Sequence, residues 1–445
     1  MLFYPKIESL KTRSYRTEKV QLITLGCSKN LVDSENLMHQ LDFNEYHVEH
    51  NPTGKKHSEI VIINTCGFID RAKEESIETI LTYAKLKSKG SIQKLYVTGC
   101  LSQRYKDNLE AEIPEVDAFF GTMEMPALLN KLNANYQHEL VGERFLSTPS
   151  HYAYFKISEG CNRTCSFCAI PLMRGKHISV PIEKLVKEAQ NLAAQGVKEL
   201  ILIAQELTYY GLDLYKERKL SQLLNELCAV EGIEWIRLHY AYPSKFPLEV
   251  LDVIRDQDKI CNYIDIPLQH ISDKVLKDMR RQITKKESTD LIQNIRNTIP
   301  GVSIRTTMLV GFPTETEEDF KELCEFVKKM KFDRLGVFQY SHEEDTSAQL
   351  FEDVISPEIK EYRAHTLMSI QETISLKLNE RKIGQEFKVL IDRKDNGQYV
   401  GRTYSDSPEV DNEVYIKHDS YLRIGDFVHA KIHDAHHFDL FASIV

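Results

Sequence analysis

Residues 152–175, "YAYFKISEGCNRTCSFCAIPLMRG", join an apolar, aromatic run to three closely spaced cysteines, Cys161, Cys165 and Cys168. The run is typical of a buried β-strand, because aromatic and aliphatic residues are enriched in strands. The cysteines follow in the next loop, and folds built on parallel strands place their chemistry in such loops. This stretch therefore indicates both the architecture of the surrounding chain and the position of a site.

Five further strand-like runs follow, separated by helical stretches such as "IEKLVKEAQNLAAQG". They read "KELILIAQ", "EWIRLHY", "NYIDIPLQ", "VSIRTTMLVG" and "RLGVFQYS". Strands that alternate with helices predict a parallel sheet. Six βα units are two short of a closed TIM barrel, so we expect a partial (βα)6 barrel over residues 150–378, open on one side to a large substrate. The pattern from Pro357 to Arg381 predicts a final helix that packs on it.

Three apolar runs ahead of this barrel each end in a cysteine. They are "VQLITLGC", "IVIINTC" and "KLYVTGC", which end at Cys27, Cys66 and Cys100, and a helical pattern follows each one. The repeated unit predicts an open α/β sheet domain over residues 19–140, with its thiols at the carboxyl ends of the strands, where ligands bind. The alternative is three buried structural cysteines, since free cysteine is often buried. The repetition favours a shared site.

The last part of the chain changes to a period of two, which predicts a small, OB-like five-stranded β-barrel over residues 380–445. Asp395-Asn396-Gly397 is a strong hairpin signal within it. This segment contains 12 Asp and Glu against 9 Lys and Arg, a net charge of -3. A domain that grips RNA through phosphates is usually basic, so the balance favours a basic protein as partner over tRNA.

Composition predicts a soluble, cytoplasmic protein, which we expect to be a monomer. The chain has a formal net charge of -9 and 28% charged residues, and no apolar run approaches the roughly 20 residues of a membrane span. Its nine cysteines are an odd number, and no charged-then-apolar signal segment precedes them. A disulfide framework is therefore not expected. Residues 1–18 are polar and basic without periodicity, and we expect a flexible tail there.

Three thiols without a fourth ligand narrow the choice of metal at the first stretch. A structural zinc site needs four protein ligands, and His177 is the nearest candidate for the fourth. Three thiolates suit a 4Fe-4S cluster whose fourth iron stays open to another ligand. A zinc knuckle is the alternative. We expect Cys228, Cys261 and Cys324 to be structural, because they lie in apolar contexts without partner spacing.

The C-x-x-x-C-x-x-C spacing, with the aromatic Phe167 before the last cysteine, resembles the signature of radical S-adenosylmethionine (SAM) enzymes. The resemblance implies that the open iron chelates SAM and that SAM cleavage yields a 5'-deoxyadenosyl radical. Gln205, Val310 and Gly311 follow or end strands, where they could contact SAM, and the resemblance gives Phe167 an adenine-stacking role. Alternatively, Gln205 caps a helix, Gly311 makes a turn and Phe167 belongs to the core. No catalytic side chain is singled out.

Almost the whole chain after residue 18 resembles the methylthiotransferases within that superfamily, through "LGCSKNLVDSE", "NTCGFI", "TGC", the cysteine triplet and the terminal barrel, a TRAM domain in that family. The resemblance implies a second 4Fe-4S cluster on Cys27, Cys66 and Cys100, two SAM molecules per product and an electron donor. "SKN" after Cys27 and "SPEVDNEVYI" at residues 407–416 resemble the branch that modifies an aspartate of ribosomal protein S-twelve, free or in the small subunit.

Two other functions stay open at this point. One is a tRNA isopentenyladenosine methylthiotransferase with the same chemistry. The other is a non-catalytic, ribosome-associated metal-binding scaffold. The chain also departs from the usual family pattern at Val180, Thr314 and Asn412, none of which is a cysteine or adjoins one.

Overall fold

The computed structural model describes residues 15–54, 57–140 and 143–445, and most of the expected tail at residues 1–18 lies outside them. The chain divides into two compact units between Ser147 and Thr148. In the described residues, no helix is long and apolar enough to cross a membrane.

The first unit is a parallel sheet with helices between its strands. Its elements in chain order are β1 (Lys19–Thr24), α1 (Ser28–Phe43), β2 (His47–His50), β3 (Ile60–Thr65), α2 (Asp70–Ser88), β4 (Lys94–Gly99), α3 (Cys100–Glu112), β5 (Ala118–Phe119) and α4 (Met125–Lys131). The strand order is β2-β1-β3-β4-β5, and all neighbours are parallel. The predicted open α/β sheet is confirmed.

The three predicted strands form the centre of this sheet, because their aliphatic side chains pack on both faces. Every residue of β3 is buried, and separate apolar clusters cover the two sides. The edge strands β2 and β5 have only four and two residues, too short for a readable period. All three cysteines lie at the carboxyl edge: Cys27 directly before α1, Cys66 directly after β3, and Cys100 as the first residue of α3.

The second unit begins with six parallel strands in the order β13-β12-β11-β10-β9-β6. These are β6 (Tyr152–Lys156), β9 (Glu199–Ile203), β10 (Trp235–Leu238), β11 (Ile260–Asp265), β12 (Ser303–Val310) and β13 (Arg334–Gln339). They are the six predicted strands, and the sheet between β6 and β13 is not closed. A short ribbon, β7 (Ser158–Glu159) with β8 (Ile178–Ser179), lies beyond β6.

Eight helices accompany this half-barrel. They are α5 (Ile170–Arg174), α6 (Ile182–Ala194), α7 (Leu220–Cys228), α8 (Glu249–Asp256), α9 (Asp273–Asp278), α10 (Lys285–Thr298), α11 (Glu317–Met330) and α12 (Pro357–Glu380). Helix α12 is the predicted final helix, and it begins at a Ser356 cap whose hydroxyl accepts from the Ile359 amide at 3.4 Å.

A closed barrel of five strands ends the chain, as predicted. Its strands are β14 (Glu386–Asp395), β15 (Gln398–Arg402), β16 (Glu413–Ile416), β17 (Phe427–Ala435) and β18 (Asp439–Ile444), in the order β14-β15-β16-β18-β17. The predicted hairpin joins β14 to β15, and Asn396 and Gly397 have φ of 46° and 82°. Two consecutive left-handed residues are typical of the tight turn that Asn-Gly favours.

The terminal barrel packs against the amino-terminal ends of the half-barrel strands. Arg402 pairs with Glu199, the first residue of β9, at 2.8 Å, and Asp406 pairs with Arg334, the first residue of β13. Tyr263 in β11 donates to Asp411 at 2.7 Å. These contacts place the terminal barrel at the ends of the strands opposite the cysteine loop.

Candidate functional site

The cysteine loop of the second unit is closed at its base by backbone contacts. The Cys161 amide donates to the Gly175 carbonyl at 3.1 Å. Gly160 has a φ of +74°, and a Cβ there would lie 2.1 Å from the Lys176 carbonyl oxygen. Only glycine permits this approach and this backbone conformation. The two ends of the loop, near residues 160 and 175, are therefore in contact, and the loop between them carries all three thiols.

Ser166, between the second and third thiols, fixes the loop from behind. Its amide donates to the Met279 carbonyl at 3.0 Å and its hydroxyl to the Asp278 carbonyl at 2.7 Å. Its own carbonyl accepts from the Ala348 amide at 2.7 Å. Because Ser166 is buried and its polar groups are bonded, it fixes the backbone between Cys165 and Cys168.

Burial makes two free thiols of this loop, Cys161 and Cys168, hard to ionise. Burial, with a smaller contribution from the nearby Cys165 sulfur, raises the pKa of Cys161 to about 11 and that of Cys168 to about 12. The three sulfurs are therefore close enough to repel one another when charged. Such a group becomes stable as thiolates when a cationic centre replaces the protons, which is how iron and zinc bind cysteine.

Arg281 provides a test of whether an anionic cluster fits here. Arg281 is 3% exposed, its Nη1 lies 3.4 Å from the Cys165 sulfur, and its Nη2 donates to the Pro267 carbonyl. Its Nε has no hydrogen-bond partner, and no carboxylate pairs with it anywhere in the described parts of the chain. A buried, unpaired cation is costly unless an anion is bound beside it. Three thiolates around a cluster supply that negative charge, so the residues fit a 4Fe-4S cluster.

Gln205, predicted to contact SAM, lies at the carboxyl end of β9 beside a buried carboxylate. Its amide nitrogen donates to Glu159 at 2.5 Å, and its buried Oε1 has no partner. Burial alone would raise the pKa of Glu159, but Lys156 and Arg174 outweigh it and lower the value to about 2. The ionised Glu159 holds the Gln205 amide nitrogen and leaves the oxygen as a fixed acceptor.

The other three residues predicted to contact SAM have firm structural surroundings. Phe167 packs on an apolar cluster that includes Met279 and Phe312. Val310 is fully buried at the end of β12. Gly311 has a φ of +75°, a Cβ there would lie 2.4 Å from Lys360 Cγ, and its amide donates to Glu315. These contacts show how the residues are held and leave their predicted roles as predictions.

The cysteine trio of the first unit is brought together by glycines. A Cβ at Gly26, beside Cys27, would lie 2.6 Å from the Cys66 Cβ and 2.8 Å from its sulfur. A Cβ at Gly67, beside Cys66, would lie 3.1 Å from the Cys100 carbonyl carbon and closer still to the next residue. The loop of Cys27 thus contacts that of Cys66, which in turn contacts that of Cys100.

Asn30 links the same loops through its side chain. Its amide donates to the Leu25 and Thr65 carbonyls, both at 2.9 Å, and its oxygen lies 3.8 Å from the Cys100 sulfur. Cys66 and Cys100 are buried, whereas Cys27 is exposed. Cys66 and Cys100 are therefore held within the protein, whereas Cys27 lies on the side of the site that faces the surface.

Neither trio is arranged around a single ion. Within residues 15–54, 57–140 and 143–445, no three His, Cys, Asp or Glu side chains are placed to hold one metal ion. The His177 imidazole, the candidate fourth zinc ligand, instead lies 3.2 Å from the Ser179 hydroxyl. A cluster differs from a single ion, because each thiolate binds a different iron. Cys261 and Cys324 are buried and Cys228 is half-buried.

The three residues that depart from the family pattern have different surroundings. The Val180 amide donates to the Ile157 carbonyl at 3.0 Å, and the Thr314 hydroxyl donates to Asp278 at 2.7 Å. Asn412 is 4% exposed, and its side-chain nitrogen has no hydrogen-bond partner. Asp278 is also the residue whose carbonyl anchors Ser166, so Thr314 reaches the cysteine loop through one intermediate residue.

Two kinds of residue in these sites were not predicted from the sequence: some had a readable signal and others had none. The glycines beside Cys27, Cys66 and Cys100 were readable, because "GC" and "CG" recur at each strand end. Arg281 and Glu159 were not, since a buried arginine or glutamate has no periodic signal. Arg281 joins the cysteine loop only through the fold, whereas Glu159 lies two residues before Cys161.

Among solved structures, the chain resembles the radical SAM methyltransferase TsrM from Kitasatospora setae, with a TM-score of 0.56 and 13% identity over 80% of this chain and 89% of that one. It also resembles the cobalamin-dependent SAM radical enzyme OxsB, with a TM-score of 0.51 and 14% identity over 78% of this chain and 56% of that one. At such low identity the likeness is one of fold.

Three family models match the chain: "Uncharacterized protein family UPF0004" at residues 19–121, "Radical SAM superfamily" at 155–327 and "TRAM domain" at 383–445. The half-barrel and its cysteine loop thus define a radical SAM enzyme. Proteins called ribosomal protein uS12 methylthiotransferase RimO from Cytophaga hutchinsonii and Flavobacterium johnsoniae are 61% and 59% identical, over 98% and 97% of this chain and 100% and 99% of theirs. The chain belongs to the RimO methylthiotransferase family.

Proposed function

We propose that this chain adds a methylthio group to the β-carbon of an aspartate in ribosomal protein uS12. The observation that carries the proposal is the presence of two cysteine trios, each at the carboxyl edge of a parallel sheet. A single trio would account for SAM cleavage alone. Sulfur insertion requires a second place to hold the sulfur, and the names of the relatives supply the protein substrate.

Cys161, Cys165 and Cys168 would hold the cluster that delivers an electron to SAM, so that a deoxyadenosyl radical can take a hydrogen atom from the substrate. The chain's own residues position the reactants. The unpartnered oxygen of Gln205 is suited to accept from the ammonium of SAM. The Gly311 amide already donates to Glu315, so Gly311 and Val310 would shape the pocket. Phe167 would offer a ring face to the adenine.

Cys27, Cys66 and Cys100 would hold a second 4Fe-4S cluster that carries the sulfur destined for the product. The close contacts of Gly26 and Gly67 support a shared site, because they bring the three loops together. The exposed position of Cys27 leaves one side open to an incoming sulfur atom. Two SAM molecules would be used per product, one as methyl donor and one as radical source.

The proposed substrate is basic, as ribosomal proteins are, and the chain is acidic. Because the terminal barrel packs on the amino-terminal ends of the strands, it would bind a part of the partner distant from the modified loop. The open side of the half-barrel would admit that loop. A cytoplasmic monomer that receives electrons from a separate donor protein is consistent with this proposal. Isopentenylated tRNA is the second candidate substrate, and the net charge of -3 on residues 380–445 argues against it.

Replacement of each trio by alanine tests the division of labour. We expect anaerobically reconstituted protein to hold about eight irons per chain, and either triple variant about four. The variant without Cys161, Cys165 and Cys168 should form no 5'-deoxyadenosine. The variant without Cys27, Cys66 and Cys100 should still form it but give no methylthiolated product.

Cys228→Ala is the matched control, because it removes a half-buried thiol outside both trios, and it should keep the iron and both activities. Zinc in place of iron after anaerobic handling would contradict the proposal. So would loss of 5'-deoxyadenosine formation in a folded second variant that keeps about four irons.

A further inference from the structure

We propose that Arg281 sets the reduction potential of the cluster bound by Cys161, Cys165 and Cys168, through a hydrogen bond and an uncompensated positive charge at the Cys165 sulfur. The inference rests on the proposed function, because it requires a cluster at this loop. It assigns an electrostatic role to a residue that lies beside one of the predicted cluster ligands.

The backbone around Arg281 turns this one side chain inward. Arg280 and Gln282 have φ of 54° and 55° and are exposed, whereas Arg281 between them is 3% exposed. Left-handed backbone is uncommon for residues other than glycine and costs free energy. Two such residues in a row of three indicate that the surrounding fold holds Arg281 in place.

Tyr242 positions the arginine and leaves it as the donor to sulfur. The Tyr242 hydroxyl donates to the Arg281 carbonyl at 2.9 Å, and its ring lies 4.2 Å from the guanidinium. A hydroxyl has one proton, so this bond leaves none for the Cys165 sulfur 3.5 Å away. The Arg281 Nη1, at 3.4 Å, supplies the N–H that points to the sulfur.

The charge balance around Tyr242 is uneven. Arg163 lies on the ring at 3.9 Å and has a counter-ion, Glu206, at 3.2 Å. Arg281 has no carboxylate partner among the residues that the structure describes. Reduction adds one negative charge to a cluster, and a nearby cation or hydrogen bond stabilises the reduced form more than the oxidised form. Arg281 should therefore raise the potential and ease electron transfer from a weak reductant.

The test uses the full chain with Cys27, Cys66 and Cys100 replaced by alanine, so that one cluster is titrated. The reduced cluster is followed by electron paramagnetic resonance against solution potential, without SAM. Arg281→Gln should lower the midpoint potential by about 59 mV or more, a tenfold change in the ratio of oxidised to reduced cluster. Arg280→Gln removes the same charge from the exposed neighbour and should leave the potential unchanged, because solvent screens it.

Arg281→Lys keeps the charge, so its midpoint potential should return most of the way to that of the parent protein. If the role of Arg281 were purely structural, lysine would not restore the potential. A wild-type potential in Arg281→Gln overturns the inference while leaving the proposed function intact. If Arg281→Gln holds no iron, Tyr242→Phe gives the second measurement: a lowered potential supports the inference, and an unchanged one overturns it. Failure of the parent protein to form any cluster would instead contradict the proposed function.

Discussion

Glycine at the strand ends of the first unit is as important to the proposed cluster as the cysteines themselves. Gly99, directly before Cys100, has a φ of +99°, and a Cβ there would lie 2.5 Å from the Thr65 carbonyl oxygen. Gly26 and Gly67 make equivalent approaches beside Cys27 and Cys66. A thiol can reach a common point only if the backbones carrying the three thiols come this close. The motif is therefore a set of cysteine–glycine pairs.

Gly26→Ala should remove the second cluster while leaving the first. The added Cβ would lie 2.6 Å from the Cys66 Cβ, so the two loops must separate. We expect iron to fall from about eight to about four per chain. Gly90→Ala is the matched control, because Gly90 is also left-handed, with a φ of +74°, but nothing lies within 4 Å of its added Cβ.

Both substitutions cost about 1 kcal/mol through the backbone alone, so the difference between them reports the contact with Cys66. Iron analysis and absorbance of the reconstituted proteins provide the measurement. Equal iron in the two variants would show that the trio does not depend on this close approach.

At the scale of elements, the terminal barrel is fastened to the half-barrel by buried ion pairs. Asp406, in the loop between β15 and β16, is fully buried and accepts from Arg334 Nε at 2.9 Å and from the Thr403 hydroxyl at 2.8 Å. Burial alone would raise the pKa of Asp406, but Arg334 and Lys382 outweigh it and lower the value. The carboxylate is thus held ionised between two elements far apart in sequence.

Asp406→Asn should destabilise the second unit by about 3 kcal/mol or more, because it leaves the Arg334 charge buried without a partner. Glu413→Gln breaks a similar arginine pair in the same barrel, but Arg393 is 45% exposed there, so the loss should be about 1 kcal/mol or less. Scanning calorimetry compares the two melting temperatures. Similar shifts would show that burial of the Asp406 pair contributes little.

Strands and helices of this protein were largely readable from its sequence, and their association was not. The six half-barrel strands, helix α12 and the Asn396-Gly397 hairpin all follow from local periodicity or turn chemistry. The placement of the terminal barrel depends on Arg402, Asp406 and Asp411, whose partners are 72 to 203 residues away in sequence. No local pattern indicates such pairs, so the position of the barrel against the strands could not be predicted.

The candidate site shows the same contrast between residues that the sequence indicates and contacts that only the fold reveals. The six cysteines were predicted as ligands from spacing and strand ends, and the glycines beside them are visible in the sequence. The donor to Cys165 was not, because Arg281 reaches the loop across 116 residues and only through the fold. Gln205 was singled out by its position after β9, but its partner Glu159 emerged only from the geometry.

On the scale of the whole molecule, the terminal barrel and the cysteine loop lie at opposite ends of the half-barrel strands. The barrel would therefore hold the body of a partner while the modified loop enters elsewhere. A large, folded substrate can contact the terminal barrel and at the same time place its modified loop at the cysteine loop. A short peptide of the aspartate loop should consequently be modified more slowly than intact uS12.

The most direct test of the central claim is mass spectrometry of uS12 and of isopentenylated tRNA, each incubated with reconstituted enzyme, SAM, a reductant and a sulfide source. The account predicts a mass gain of one methylthio group on an aspartate of uS12 and none on the tRNA. It also predicts equal amounts of S-adenosylhomocysteine and 5'-deoxyadenosine per product. Modification of the tRNA alone, or SAM cleavage with no change in uS12, would contradict it.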